Sequence, residues 1–120
     1  MKKTDYLSKI IDILKKREAT LLENQSVGKY NRHFDKMIKY ARKLLNENRQ
    51  DELLPYLDDD SISIQYDVAS LLYNFYPERC RAVFLRISSM SVKTGMPRQF
   101  SDIRLSAQRI LEFGMPPNFP

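Results

Sequence analysis

Apolar residues along this chain recur every three to four positions, the spacing of helices that bury one face. Two long stretches follow this pattern, about Thr4 to Asn24 and about Tyr30 to Asn48, with a turn at Gln25–Lys29 between them. The apolar faces comprise Leu7, Ile10, Ile11, Leu14, Leu21 and Leu22 in the first stretch and Tyr30, Phe34, Met37, Ile38, Ala41, Leu44 and Leu45 in the second. Alternation of period two, which marks a half-buried strand, is nearly absent, so the pattern predicts an all-α fold.

Shorter segments continue the helical pattern to the end of the chain. Their predicted bounds are Gln50–Leu57, Ile62–Tyr76, a helix that begins at Pro77, and Ser101–Phe113. The segment Ser91–Gln99 is the longest predicted loop, Gly114 ends the last helix, and Met115–Pro120, with three prolines, is a predicted non-helical tail. At 120 residues, the chain is predicted to be one domain, 1–120, of five or six short helices with an ordered core of about 4–114.

The segment Ile62–Tyr76 carries apolar residues on two opposite sides. A helix of this kind packs between neighbours, so we predict that it is the central helix of the domain. A narrow polar strip separates the two apolar sides and is its predicted exposed ridge. The strip consists of Ser63, Asp67, Ser70 and Asn74. The predicted core of the whole domain comprises Leu14, Phe34, Ile38, Leu45, Leu54, Leu57, Val68, Leu72, Phe75, Phe84, Ile87 and Ile110.

Charge is divided unevenly along the chain, whose formal net charge is +5. Residues 1–50 carry +7, residues 51–78 carry −7 without one Lys or Arg, and residues 79–120 carry +5. Four of the seven tyrosines also fall within the acidic segment 51–78. Acidic groups beside tyrosines favour a protein partner with a basic surface over a phosphate backbone. The predicted contact residues are Asp58, Asp59, Asp60, Tyr66, Asp67, Ser70 and Asn74.

Residue types that perform catalysis or bind metals are sparse in this sequence. The lone histidine, His33, has no Cys or second His at ligand spacing, and Asp58–Asp60 lack the spaced ligands of a calcium loop. The sequence also has no glycine-rich phosphate loop and no nucleophile elbow. It therefore favours a binding protein, without metal or cofactor, over an enzyme. Cys80 is interpreted as a small core residue, and Glu18 as an edge residue or the partner of a cation.

The cellular compartment is predicted from two negative features of the sequence. No stretch approaches the ~18–20 apolar residues of a membrane span. The N-terminus is charged and does not have the pattern of a secretory signal. These features predict a cytoplasmic protein that does not enter a membrane.

Several short motifs resemble a small bacterial HEAT-like (armadillo-type) family of unknown function, over about residues 5–114. The matching residues are Tyr30–Asp35, Leu53–Leu57 with the acidic turn after it, Ile64, Val68-Ala69, Leu71-Leu72, Tyr76–Arg79, Ala107 and Ile110-Leu111. The resemblance implies a solenoid arrangement of helices and a scaffold role, and it brings no catalytic residues. In that pattern, Gln65 stands where an arginine is usual and Asp67 where an aromatic is usual, which suggests a surface altered for a particular partner.

Three functions remain open at this stage. The first is an immunity or antitoxin-type inhibitor that covers a basic toxin domain, such as a nuclease, with the acidic, tyrosine-rich surface. The second is a nucleic-acid binder that uses a cationic stripe on the second helix, formed by Arg32, Lys36, Lys39 and Lys43. The third is a generic scaffold or adaptor, in which all the charge is ordinary surface.

Overall fold

The computed structural model of the chain describes residues 5–22, 27–90 and 98–120. Within these ranges the chain forms five α-helices and one 3₁₀ helix, and no strand is present, which confirms the all-α prediction. The elements are α1 (Tyr6–Leu22), α2 (Val27–Asn46), the 3₁₀ helix (Gln50–Asp58), α3 (Ile62–Leu72), α4 (Pro77–Ser88) and α5 (Arg98–Phe113). None of the helices described is long and apolar enough to cross a bilayer.

Helix α3 lies at the centre of the packing. It contacts the 3₁₀ helix, α1, α4 and α5, while α1 packs along α2 and α4 along α5. Eight of its residues are buried, including Ile64, Val68 and Leu72. This confirms the prediction that a helix apolar on two sides packs between neighbours.

Most of the predicted core is buried. Leu14, Leu45, Leu57, Val68, Leu72, Phe84, Ile87 and Ile110 are at most 9% exposed. Phe34, Ile38 and Leu54 are partly buried and pack against that core. Phe75 is 41% exposed, so its assignment to the core was wrong.

The misplacement of Phe75 has a local cause at the end of α3. The helix was predicted to continue to Tyr76, but it ends at Leu72. The amides of Phe75 and Tyr76 both donate to the Leu72 carbonyl, at 2.9 and 2.8 Å, which closes a turn. Pro77 disfavours helical geometry in the residue before it, so the turn places Phe75 outside the helical register.

The other helix ends differ from prediction by a few residues. Helix α2 begins at Val27, so Gly28 lies inside it instead of in a turn, and α5 begins at Arg98 instead of Ser101. The predicted positions of Thr4, of residues 23–26 and of residues 91–97 lie outside the described residues, as do the side chains of Leu21 and Leu22.

The segment between α2 and α3 is a 3₁₀ helix with Pro55 in its interior. Proline removes one backbone N–H and clashes with the carbonyl four residues earlier, so a tighter, short helix replaces an α-helix here. Leu53 and Leu57 are its buried residues. The segment ends at Asp58, next to the acidic turn.

The C-terminal segment Gly114–Pro120 is non-helical, as predicted. Gly114 adopts a φ of +76°, a conformation that glycine tolerates best, and its amide donates to the Ile110 carbonyl at 2.7 Å to end α5. The segment was predicted to lie beyond the ordered core, but Met115 and Phe119 pack against that core.

Candidate functional site

The three consecutive aspartates lie in a turn that is fixed by its own hydrogen bonds. Ser61 is the N-cap of α3, and its Oγ accepts from the Ile64 amide at 3.1 Å. The Asp59 carboxylate accepts from the Ser61 amide at 2.9 Å, and the Gln65 side-chain amide donates to the Asp59 carbonyl. Asp58 and Asp60 are exposed and Asp59 is half-buried. The turn therefore presents carboxylates on a preorganised backbone.

The charge of this turn acts on a carboxylate of α1. The pKa of Glu18 is raised, first by its partial burial and then by repulsion from the Asp59 carboxylate. We call the turn Asp58–Asp60, together with Glu18, the acidic corner. Sequence reasoning missed this assignment, because Glu18 belongs to the basic half of the chain, forty residues before the turn.

Two arginines of α4 lie near the acidic corner. Arg86 donates to the carbonyl of Leu57, the residue before the turn, at 3.4 Å. The Arg79 Nη2 is 4.0 Å from the Asp58 Oδ2, and both side chains are more than half exposed. An exposed pair of this length contributes little to stability and is easily exchanged for another partner.

Asp67 and Ser70 do not lie on an exposed ridge, and this part of the prediction was wrong. Asp67 is fully buried, and Ser63 and Ser70 are 1% and 5% exposed. Ser70 donates to the Tyr66 carbonyl at 2.9 Å, inside the helix. Asp67 instead faces α1, where an arginine neutralises it.

That arginine is Arg17, which is 6% exposed and whose Nη1 donates to the Asp67 carboxylate. Its Nε donates to the Tyr30 carbonyl at 3.3 Å, and its guanidinium stacks on the rings of Tyr30 and Phe34 at 3.8 and 4.7 Å. The ion pair thus ties α1, α2 and α3 together. One signal was available in the sequence, since Arg17 follows Leu14 by three positions on the apolar face of α1.

The surroundings of this ion pair change the titration of its neighbours. Burial raises the pKa of Asp67, an effect that the Arg17 guanidinium opposes. Burial, together with the negative charge of Asp67, raises the pKa of Tyr30 to about 12. Asp67 Oδ2 has no hydrogen-bond partner among the described residues, so the pair is incompletely satisfied.

The two departures from the HEAT-like pattern both have roles inside the protein. Asp67 pairs with Arg17, as described above. Gln65 bridges two elements, because its amide donates to the Asp59 carbonyl and its Oε1 accepts from Arg86 of α4 at 2.7 Å. Gln65 therefore joins the acidic turn to α4.

The remaining two predicted contact residues, Tyr66 and Asn74, lie away from the acidic corner. The Tyr66 ring packs edge-to-face against Phe84 with 5.8 Å between ring centroids, and burial raises the pKa of its hydroxyl. Asn74 is exposed and donates hydrogen bonds to the C-terminal tail. Of the seven predicted contact residues, only the three aspartates therefore lie in the acidic corner, whereas Tyr66 and Ser70 lie together on α3.

The cationic stripe of α2 is exposed along its whole length. Arg32, Lys36, Lys39 and Lys43 are all exposed. The Lys43 ammonium lies 5.8 Å from the centroid of the Tyr40 ring, and that of Lys9, from α1, lies 5.1 Å from it. The pKa of His33 is lowered by partial burial and then by Lys36, which shows the positive field along this helix.

A cavity of about 410 Å³ opens between α2, α3 and α5. Its lining combines apolar side chains with Arg17, Arg109 and the hydroxyls of Tyr66, Ser70 and Ser106. No group of three metal-ligating side chains is present within the ranges that the structure describes. Cys80 is buried, and burial raises the pKa of its thiol to about 12, so it is not a reactive thiolate.

Comparison of the chain with known protein families, with curated proteins and with solved structures found no match in any of the three. The likeness to a HEAT-like family therefore depends on the matching residues of this sequence alone. It stays a prediction.

Proposed function

We propose that this chain is a non-catalytic protein-binding module, and most specifically an immunity or antitoxin-type inhibitor that covers a basic toxin domain with its acidic corner. The observation that carries the proposal is the turn Asp58–Asp60, which holds two exposed carboxylates on a hydrogen-bonded backbone in a chain whose net charge is +5. Like charges held close favour the arrival of a cation, because a cationic partner relieves their repulsion.

The backbone under the acidic corner supports this proposal. The N-cap Ser61 and the bridge made by Gln65 fix the turn before any partner arrives. A preorganised site loses less conformational entropy on binding than a flexible one. The exposed carboxylates of Asp58 and Asp60 are then available to the lysines or arginines of a partner.

We also propose that the helices follow a HEAT-like arrangement. Consecutive helices pack in pairs, α1 with α2, the 3₁₀ helix with α3, and α4 with α5. Each pair also contacts a neighbouring pair through α3. This pattern supports the proposal, because each unit of a helical-repeat protein packs against its neighbours.

The proposal is tested by charge reversal at the acidic corner. The wild-type chain and the variants Asp58→Lys/Asp60→Lys and Lys36→Glu/Lys39→Glu are used as baits in extracts of the source cell. A true partner is a basic protein that is captured by the wild type and by the α2 variant and lost from the acidic-corner variant. Its association rate should also fall as salt is raised. Capture that is equal for all three baits would contradict the proposal.

Nucleic-acid binding by α2 is a second candidate, favoured by the four exposed cations of the stripe. Binding of a fluorescent 20-base-pair duplex should then fall steeply between about 50 and 200 mM salt, as counterion release requires. The substitutions Lys36→Glu/Lys39→Glu should abolish this binding, whereas Asp58→Lys/Asp60→Lys should leave it unchanged or improve it. The two candidates therefore predict opposite responses to the same pair of variants.

A further inference from the structure

The side-chain amide of Asn74 holds the C-terminal tail in a groove. Its two N–H groups donate to the carbonyls of Pro116, Pro117 and Phe119, at 2.8, 3.3 and 3.2 Å, with one N–H shared between two of them. The tail forms a tight turn there, because the Phe119 amide donates to the Pro116 carbonyl at 3.0 Å. The turn brings its carbonyls to one point, so a single asparagine binds main-chain atoms that any sequence of the same shape would present.

An aromatic ring anchors this turn. The Phe119 ring stacks on the Phe34 ring of α2 with 6.4 Å between centroids and an interplanar angle of 20°. Phe119 is partly buried against the core, and Met115 packs there as well. The tail therefore binds as a small ligand does, with one apolar anchor and a few polar contacts.

The groove has space that the tail does not fill. Phe119 lines the 410 Å³ cavity and also lines a second cavity of about 220 Å³, which is bordered by Arg42, Asn74 and Phe75. The half-exposed ring of Phe75 lies in this second wall. A bound segment with more residues on either side of its aromatic residue would contact further apolar and polar side chains in these two cavities.

We propose that this groove between α2, α3 and α5 is a docking site for a partner segment that contains a proline turn ending in an aromatic residue. The chain's own tail occupies the site in the structure as a tethered ligand. Proline suits such a segment, because Asn74 donates to backbone carbonyls and needs no backbone N–H from the segment. A turn restrained by proline also loses little conformational entropy on binding. The groove uses none of the residues of the acidic corner, so the proposal does not depend on the proposed function.

The experiment uses the full chain and a fluorescein-labelled peptide of residues 113–120, with the tail sequence. In the wild type, the tethered tail competes with the peptide at a high effective concentration. The variant Phe119→Ala removes the tail's own anchor and leaves the groove residues intact. We expect the peptide to bind Phe119→Ala at least about tenfold more tightly than the wild type, by fluorescence anisotropy.

Two controls separate recognition from nonspecific binding. A peptide with alanine in place of Phe119 should not bind the Phe119→Ala chain. Adding Asn74→Asp to Phe119→Ala should abolish peptide binding, because it replaces the N–H donors by acceptors, while the matched surface change Gln108→Glu should have no effect. If Phe119→Ala lowers the melting temperature below the assay range, Phe119→Leu should give the same order of affinities, since it keeps apolar volume but loses the stacked ring.

Three outcomes would overturn the proposal. The first is an equal affinity of the peptide for the wild type and for the variants Phe119→Ala and Phe119→Leu. The second is undiminished binding of the peptide when Asn74→Asp is added to Phe119→Ala. The third is a wild-type dimer in light scattering that dissociates on Phe119→Ala, because a second copy of the tail would then be the occupant instead of a partner segment.

Discussion

The acidic turn Asp58–Asp60 and Asp67 come from one acidic segment of the sequence, yet they differ in burial and in charge partners. The turn is solvent-facing and repels Glu18, whereas Asp67 is fully buried and paired with Arg17. The difference lies in the side chains that surround the turn and Asp67. Asp58 lies 4.0 Å from an exposed arginine and Asp59 repels Glu18, whereas Asp67 pairs with a guanidinium that two aromatic rings already hold. Identical side chains, nine residues or fewer apart, thus lie on the surface at one place and in the core at the other.

Breaking the buried pair should have the largest effect on stability. The substitution Asp67→Leu leaves the Arg17 guanidinium buried without its counter-ion, which should lower the free energy of unfolding by ~3–5 kcal/mol. The double variant Arg17→Met/Asp67→Leu should recover most of that loss, because a well-packed apolar pair replaces two buried charges. Urea unfolding of the three proteins measures both values. A single-variant loss below ~1 kcal/mol would show that Asp67 is not tied to Arg17 in solution.

Burial of Tyr30 beside this ion pair should also make stability fall at alkaline pH. The folded pKa of Tyr30 is raised to about 12, above the usual value of about 10 in an unfolded chain. Its contribution is therefore fully present below pH ~10 and is lost as the pH rises through ~12. Tyr30→Phe should reduce the slope of the unfolding free energy against pH in this window by up to about one proton. Urea midpoints at pH 9 to 11 give the slope, and an unchanged slope would contradict the assignment.

Reversal of the exposed acids should leave the fold intact. Asp58→Lys/Asp60→Lys changes two solvent-facing side chains, so the free energy of unfolding should change by less than ~0.5 kcal/mol. The loss of unfolding free energy in this variant and in Asp67→Leu can be compared directly, since both substitutions alter aspartates of one segment. A loss above ~2 kcal/mol in the melting or urea curve of the double reversal would show that the turn is structural.

The smallest expected effect is at Glu18. Its folded pKa is raised by partial burial and by Asp59, so ionisation of this group opposes folding at neutral pH. Glu18→Gln should therefore raise the melting temperature slightly at pH 7. The gain should disappear below pH ~4, where the carboxyl is protonated in both folded and unfolded chains. Ala19→Gln, at an exposed neighbouring position, is the matched control and should show no such dependence on pH.

The predicted helices were largely correct because one apolar face per helix is a local property of the sequence. Pro77 begins α4, Gly114 ends α5, and α3 is central as its two apolar sides require. Phe75 was misplaced because the apolar spacing continues through this residue, whereas the backbone turns out of the helix before Pro77.

The candidate site was only partly predictable, because charge patterning does not say which acid meets which base. The turn was identified from Asp58, Asp59 and Asp60 alone, and its place beside Glu18 depends on the packing of α1 near α3. Nothing in the sequence indicates that Asn74 binds the tail, which lies more than forty residues further along the chain.

The sequence by itself determined the helical class, most of the core and the separation of charge, since periodicity, helix ends and composition are local in the chain. Only the tertiary structure decided that Asp67 is buried, that the charge of Asp59 acts on Glu18 and that the tail lies against Phe34. Each of these results depends on the approach of residues fifty, forty-one or eighty-five positions apart. Such contacts follow from how helices pack against one another, and a helical pattern fixes which face is buried but not which neighbour covers it.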